Sequence, residues 1–106
     1  MGKYMISASY TAEGLKGVLA DGGTARRASV DALITGLGGS VEAVYWTFGG
    51  DDVVIICDVP SDEAVAAAVL TVGASGAASV RTTVLLTADQ IDAAVKMSPS
   101  YRAPGA

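Results

Sequence analysis

Two apolar runs, Val41 to Phe48 and Val53 to Val59, are separated only by Gly49-Gly50-Asp51-Asp52. The first is rich in β-branched and aromatic residues, and both read as strands. So short a connection makes them antiparallel neighbours, because a parallel pair needs a crossover of a dozen residues or more. The hairpin lies mid-chain, and its flanks decide the fold.

Before it, Tyr4 to Tyr10 alternates with period two, the signature of a strand. Thr11 is placed to cap a helix carrying Leu15, Val18 and Leu19, which Gly22-Gly23 interrupts. Thr24 restarts the pattern, and Val30, Leu33, Ile34 and Leu37 form an i, i+3, i+4, i+7 stripe ending at Gly38-Gly39. This is one kinked helix or two. After the hairpin, Pro60 ends the strand and Ser61 caps a second helix with Val65, Ala68, Val69 and Val72 on one side. Ser79 to Leu86 is the fourth strand. Thr87 then starts a short last helix through Met97, and residues 98–106 hold two prolines and a glycine and are expected to be irregular. The order β-α-β-β-α-β plus a terminal helix predicts an α+β, ferredoxin-like domain spanning residues 1–106, with four antiparallel strands and both main helices on one face.

Strict alternation divides the strands into two faces. Tyr4, Ile6, Ala8, Val41, Ala43, Tyr45, Val53, Ile55, Cys57, Val80, Thr82, Val84 and Leu86 form an almost wholly apolar set suited to the helices. The opposite set is Met5, Ser7, Ser9, Glu42, Val44, Trp46, Phe48, Val54, Ile56, Asp58, Arg81, Thr83 and Leu85. It mixes large apolar groups with a few polar ones. A monomer rarely leaves such a face bare, so sheet-to-sheet self-association into a homodimer or higher homo-oligomer is expected.

Composition removes several kinds of chemistry. The chain has no histidine and one cysteine, Cys57, so it offers neither an imidazole base nor a Cys-pair zinc site; no metal or other cofactor is expected. Seven basic residues against eleven acidic give a net charge of −4, which argues against a nucleic-acid partner. No apolar run approaches membrane-spanning length. The lone thiol and the absence of a secretory leader pattern point to a cytoplasmic protein with no membrane partner.

Three stretches together resemble the GYD domain family: Lys3-Tyr4-Met5-Ile6-Ser7-Ala8-Ser9-Tyr10-Thr11, Tyr45-Trp46-Thr47-Phe48-Gly49-Gly50-Asp51-Asp52, and Arg81-Thr82-Thr83-Val84-Leu85-Leu86-Thr87. The similarity extends over nearly the whole chain. Gly50 and Asp52 match the ends of the family's Gly-Tyr-Asp signature, and Asp51 stands where its tyrosine is expected. The resemblance implies a dimeric α/β barrel, two ferredoxin-like sheets closed on each other. Proteins of that architecture include cofactor-independent monooxygenases, isomerases and haem enzymes, so the resemblance implies no single activity.

The candidate ligand-binding residues are Ser7, Ser9, Trp46, Asp58 and Arg81, placed together by alternation, with Tyr101 from the tail. An aromatic wall with a few convergent polar groups is what small-molecule pockets offer. Asp58 and Arg81 would orient a polar ligand or form an ion pair at the dimer seam. Cys57 reads as an inert core thiol, Asp51 and Asp52 as a solvated loop, and Arg26 and Arg27 as solvent-facing or interfacial. Binding of a small molecule between paired sheets ranks first. The alternatives are a cofactor-independent oxygenase or isomerase acting on a reactive small molecule, and a structural assembly protein without a ligand.

Overall fold

The computed structural model describes residues 2–106. Seven elements follow in order: β1 (Gly2–Tyr10), α1 (Ala12–Gly36), β2 (Ser40–Trp46), β3 (Val53–Val59), α2 (Asp62–Ala74), β4 (Ala78–Leu85) and α3 (Ala88–Met97). The strands form one antiparallel sheet in the order β2-β3-β1-β4. This is the α+β, ferredoxin-like arrangement expected from the element order.

Local chemistry sets the boundaries. Thr11, Ser61 and Thr87 each accept a hydrogen bond from the backbone N–H three residues on, closing the first turns of α1, α2 and α3. At α3 the Gln90 side chain also accepts from the Thr87 N–H, completing a capping box. Within α1, Gly22 adopts φ +79°, so one element contains two helical segments meeting at a kink. Gly14 serves another purpose. A Cβ there would lie 2.0 Å from the Ala77 carbonyl oxygen, so only glycine lets the start of α1 reach the turn before β4.

The core sits between the helices and one face of the sheet. Tyr4, Ile6, Cys57 and Val59 from the central strands meet Ile34 of α1 and Val65 and Ala68 of α2. A second cluster, Ala8, Val44, Val53 and Ala78, occupies the other end of the same layer. The first segment of α1 stands off it: Leu15 is 41% and Leu19 86% exposed. No residue of α3 is buried, and Ile91, Val95 and Met97 are exposed. The radius of gyration, 16.9 Å, exceeds the ~13 Å typical of a compact chain of this length. This terminal arm accounts for part of the excess.

Two contacts tie this architecture to pH. The Tyr4 hydroxyl donates to the Asp62 carboxylate at the start of α2, and that bond, with burial, raises the phenol above its ordinary 10.0. Lys3 donates to Glu42 at 2.9 Å and to Asp58 at 3.1 Å, which raises it above 10.5. Burial likewise raises the Cys57 thiol above 9.0. All three folded-state values lie above the unfolded ones. Their contribution is therefore fully present below about pH 9 and is lost as pH climbs through the folded values. A melting temperature flat through neutrality and falling above pH 9 is the expected profile. Tyr4→Phe will flatten the alkaline part of that fall, as thermal scans at successive pH values will read.

Candidate functional site

The open face of the sheet does not gather the residues that alternation assigned to it. Asp58 lies opposite Lys3 and Arg81 opposite Ser7, on strands that flank β1. Their positions differ by roughly 13 Å along the strands and about 10 Å across them. No Asp58–Arg81 pair forms. Lys3 holds Asp58 and Glu42 at one end, while Arg81 is paired with Asp51 of the hairpin loop at the other. Ser9 donates a long hydrogen bond, 3.4 Å, to the same Asp51. Ser7 is buried between the two groups. Tyr101, 79% exposed in the irregular tail, is not packed onto the sheet.

Asp51 and Asp52 are half-buried structural groups and correct the reading of a merely solvated loop. Asp52 accepts from the Tyr10 N–H at 2.8 Å and donates its own N–H to the Ala8 carbonyl, so it fastens the hairpin to the end of β1. Removing a partner of a part-buried backbone donor costs about 1–3 kcal/mol, whereas a largely exposed ion pair is worth under about 1 kcal/mol. Urea denaturation should therefore show Asp52→Ala losing more stability than Arg81→Ala.

Trp46 is on the opposite face. The β2–β3 register carries an extra residue at Glu42–Ala43: Val41 faces Cys57, but Ala43 faces Ile56 and Trp46 faces Val53. A one-residue bulge reverses every side chain after it. Val44 and Trp46 consequently turn toward the helices, and Ala43 and Tyr45 join the open face. Phe48, also assigned to that face, lies in the loop beyond β2 with φ +45°.

On the helix side Trp46 borders a groove. Helix α1 rests chiefly on β2 and α2 on β4; the two meet where Ile34 packs with Val65 and Ala68 and diverge toward the Tyr10 end of the sheet. The central strands beneath are left partly uncovered. Neither helix carries an aromatic residue, and the floor and walls are short side chains, among them Ala8, Val53, Ala68, Val72, Ala78 and Val80. A cavity of about 110 Å³ results. Its polar rim is Tyr10, Arg26 and Ser29, with the Trp46 indole N–H donating to the Tyr10 hydroxyl at 3.2 Å. A shallower depression along Glu13, Gly14, Gly17 and Ala77 shares Tyr10 and Arg26 with it.

Arg26, Tyr10 and Ser29 escaped the sequence reading, which placed Arg26 outside any site. The available signal was spacing: Arg26 precedes Val30 by four and Leu33 by seven, on the core stripe of α1. Cys57, wholly buried against the helices, has no access to this groove or to solvent. Among the described residues no three acidic or thiol side chains cluster as a metal ion would require. Nor, among them, is any helix long and apolar enough to cross a membrane.

No curated protein and no solved structure matches the chain significantly. The family model for the GYD domain does match, over residues 4–95, from β1 into α3. That span takes in all but the first two residues of the sheet and both covering helices, and the chain belongs to the GYD domain family.

Proposed function

We propose that this chain is a self-associating, cytoplasmic small-molecule-binding protein whose ligand occupies the groove between α1, α2 and the sheet. The observation that carries the reading is the groove itself: apolar walls, an indole on one side, and a rim of a few polar groups. Ligand sites combine these features. Of the six candidate residues only Trp46 borders it. The site thus moves from between paired sheets to the helix side, while small-molecule binding remains the function.

The open face is then free to serve self-association. Its centre is uncharged, with Met5, Ser7, Ala43, Tyr45, Val54 and Ile56; the Lys3 pairs lie at one end, and Arg81 lies on the flanking strand β4 beside Ser7, turned to Asp51 of the hairpin loop. An apolar centre with a charged rim is the usual interface anatomy. The uncovered stripe of α3, Ile91 and Val95, adds apolar surface for a second copy to bury. Sedimentation at micromolar concentration should give a dimer or larger species. A monomer would remove this half of the reading.

Ligand binding has a built-in reporter, because Trp46 is the only tryptophan. Titration with a neutral single-ring solute such as phenylacetamide should change Trp46 emission in a saturable way. A linear, non-saturating response to this and to charged single-ring solutes alike would rule the groove out as a binding site.

A further inference from the structure

We infer that the groove's ligand is a small carboxylate, its single-ring or short branched body held among Ala8, Val53 and Val72 and its carboxylate held at the rim by Arg26 and the Tyr10 hydroxyl. The inference rests on the ligand-binding reading above and specifies the class of molecule.

Size sets the apolar part. A dry cavity of about 150 Å³ takes a benzene ring, and drug-sized ligands need roughly 300 Å³ or more. The 110 Å³ here is smaller and open at its mouth, so it takes a short branched chain or a ring seated partly in the mouth, with the head group outside. Nucleotides and other large anions are too big for it.

Charge sets the head group. Arg26 borders both the groove and the adjoining depression. Asp21 pairs with its charge at 3.7 Å, a half-exposed contact too long to be a hydrogen bond. The next residue behaves differently: Arg27 donates to Asp31 at 3.3 Å. Five N–H donors are thus held beside an apolar cavity without a hydrogen-bond acceptor among the described residues, and a carboxylate matches them in charge and in planar geometry. Tyr10 supplies a second donor. Its oxygen already accepts from the Trp46 indole, so its own O–H remains to be given. The one carboxylate in the depression, Glu13, is met by Lys16 and is largely exposed, so a cationic ligand would face the Arg26 charge with only that exposed group to receive it there.

Phenylacetate and its neutral isostere phenylacetamide separate the parts of this argument, with Trp46 emission as readout. A charge-assisted hydrogen bond should favour the acid by at least about tenfold. Arg26→Gln should erase that preference while leaving the amide's affinity nearly unchanged, and Arg27→Gln should leave both alone. In the unmodified protein, raising the salt from about 0.05 to 0.5 M should weaken the acid and not the amide, which frees the test from any folding defect of a variant. Equal affinities for acid and amide, or a preference that survives Arg26→Gln, would overturn the carboxylate assignment and leave the groove as a site for neutral ligands. Absence of saturable binding by either compound would instead overturn the ligand-binding reading.

Discussion

Ile34→Ala is expected to cost about 3–5 kcal/mol and to leave the protein largely unfolded at moderate urea concentrations. Ile34 is 1% exposed and joins α1 to Cys57 and Val59 of β3 and to Ala68 of α2. Truncating a buried isoleucine removes about 2–5 kcal/mol, and the value depends on how far the surroundings collapse into the space. Here collapse is obstructed, because Ile34 also lines the groove and the new void would merge with one already present. The upper part of the range follows. Against a typical stability of about 5–15 kcal/mol this is a large fraction. At roughly 4–8 °C per kcal/mol for a domain near this size, the melting temperature should fall by about 12 °C or more. Leu19→Ala is the comparison: an 86% exposed leucine on the same helix should cost under about 0.5 kcal/mol. Equal losses for the two variants would mean that α1 is not seated as described.

That contrast also marks where the sequence was legible. Hydrophobic spacing identified the second half of α1 correctly, because Val30, Leu33, Ile34 and Leu37 all contribute to the helix-facing layer. Leu15 and Leu19 are helical as their spacing predicts, yet both are exposed. Periodicity reports that a helix has an apolar side, not that the chain itself covers it, and the kink at Gly22 carries the first segment away from the sheet. Caps were legible for a local reason: Thr11, Ser61 and Thr87 act on a backbone amide three residues away. Pairing across the sheet involves the partner strand and was less legible.

The candidate site turned on one such detail. Alternation from Val41 put Trp46 beside Ser7, Asp58 and Arg81, and a single inserted residue reversed it. A trace of the bulge is visible in hindsight, since Val41 and Val44 are three apart and both face the helices, where an unbroken strand would place them on opposite faces. Arg81 and Asp58 were correctly placed on one face, yet each found a nearer partner. Lys3 and Asp51 were decided by register and by the hairpin loop, neither of which composition reveals. The groove was illegible for a different reason. It is made by missing bulk, the small side chains of two helices that meet only at one end, and missing bulk leaves no motif.

Filling that bulk gives the strongest test of the site. Ala68→Leu should abolish binding of phenylacetate and phenylacetamide alike, with affinities falling by more than about a hundredfold, without a drop in melting temperature. Ala68 is 1% exposed, faces the sheet from α2, and lines the cavity. Leucine adds three carbons directed into a space of about 110 Å³ and leaves little room for a ring. A ligand that must displace a packed side chain loses most of its apolar burial, about 25 cal/mol per Å² of surface no longer removed from water. Some 100 Å² of ring surface then corresponds to about 2.5 kcal/mol, and the steric conflict adds to it. Stability should move the other way. Cavity-filling substitutions commonly add about 0.5–2 kcal/mol, and leucine suits a helix nearly as well as alanine. Overpacking would instead cost about 1–3 kcal/mol, so the sign of the change in urea midpoint reports whether the space is empty. A variant that binds as before, or one that loses stability and binding together, would show that the groove closes in solution and that Trp46 and Arg26 face no ligand there.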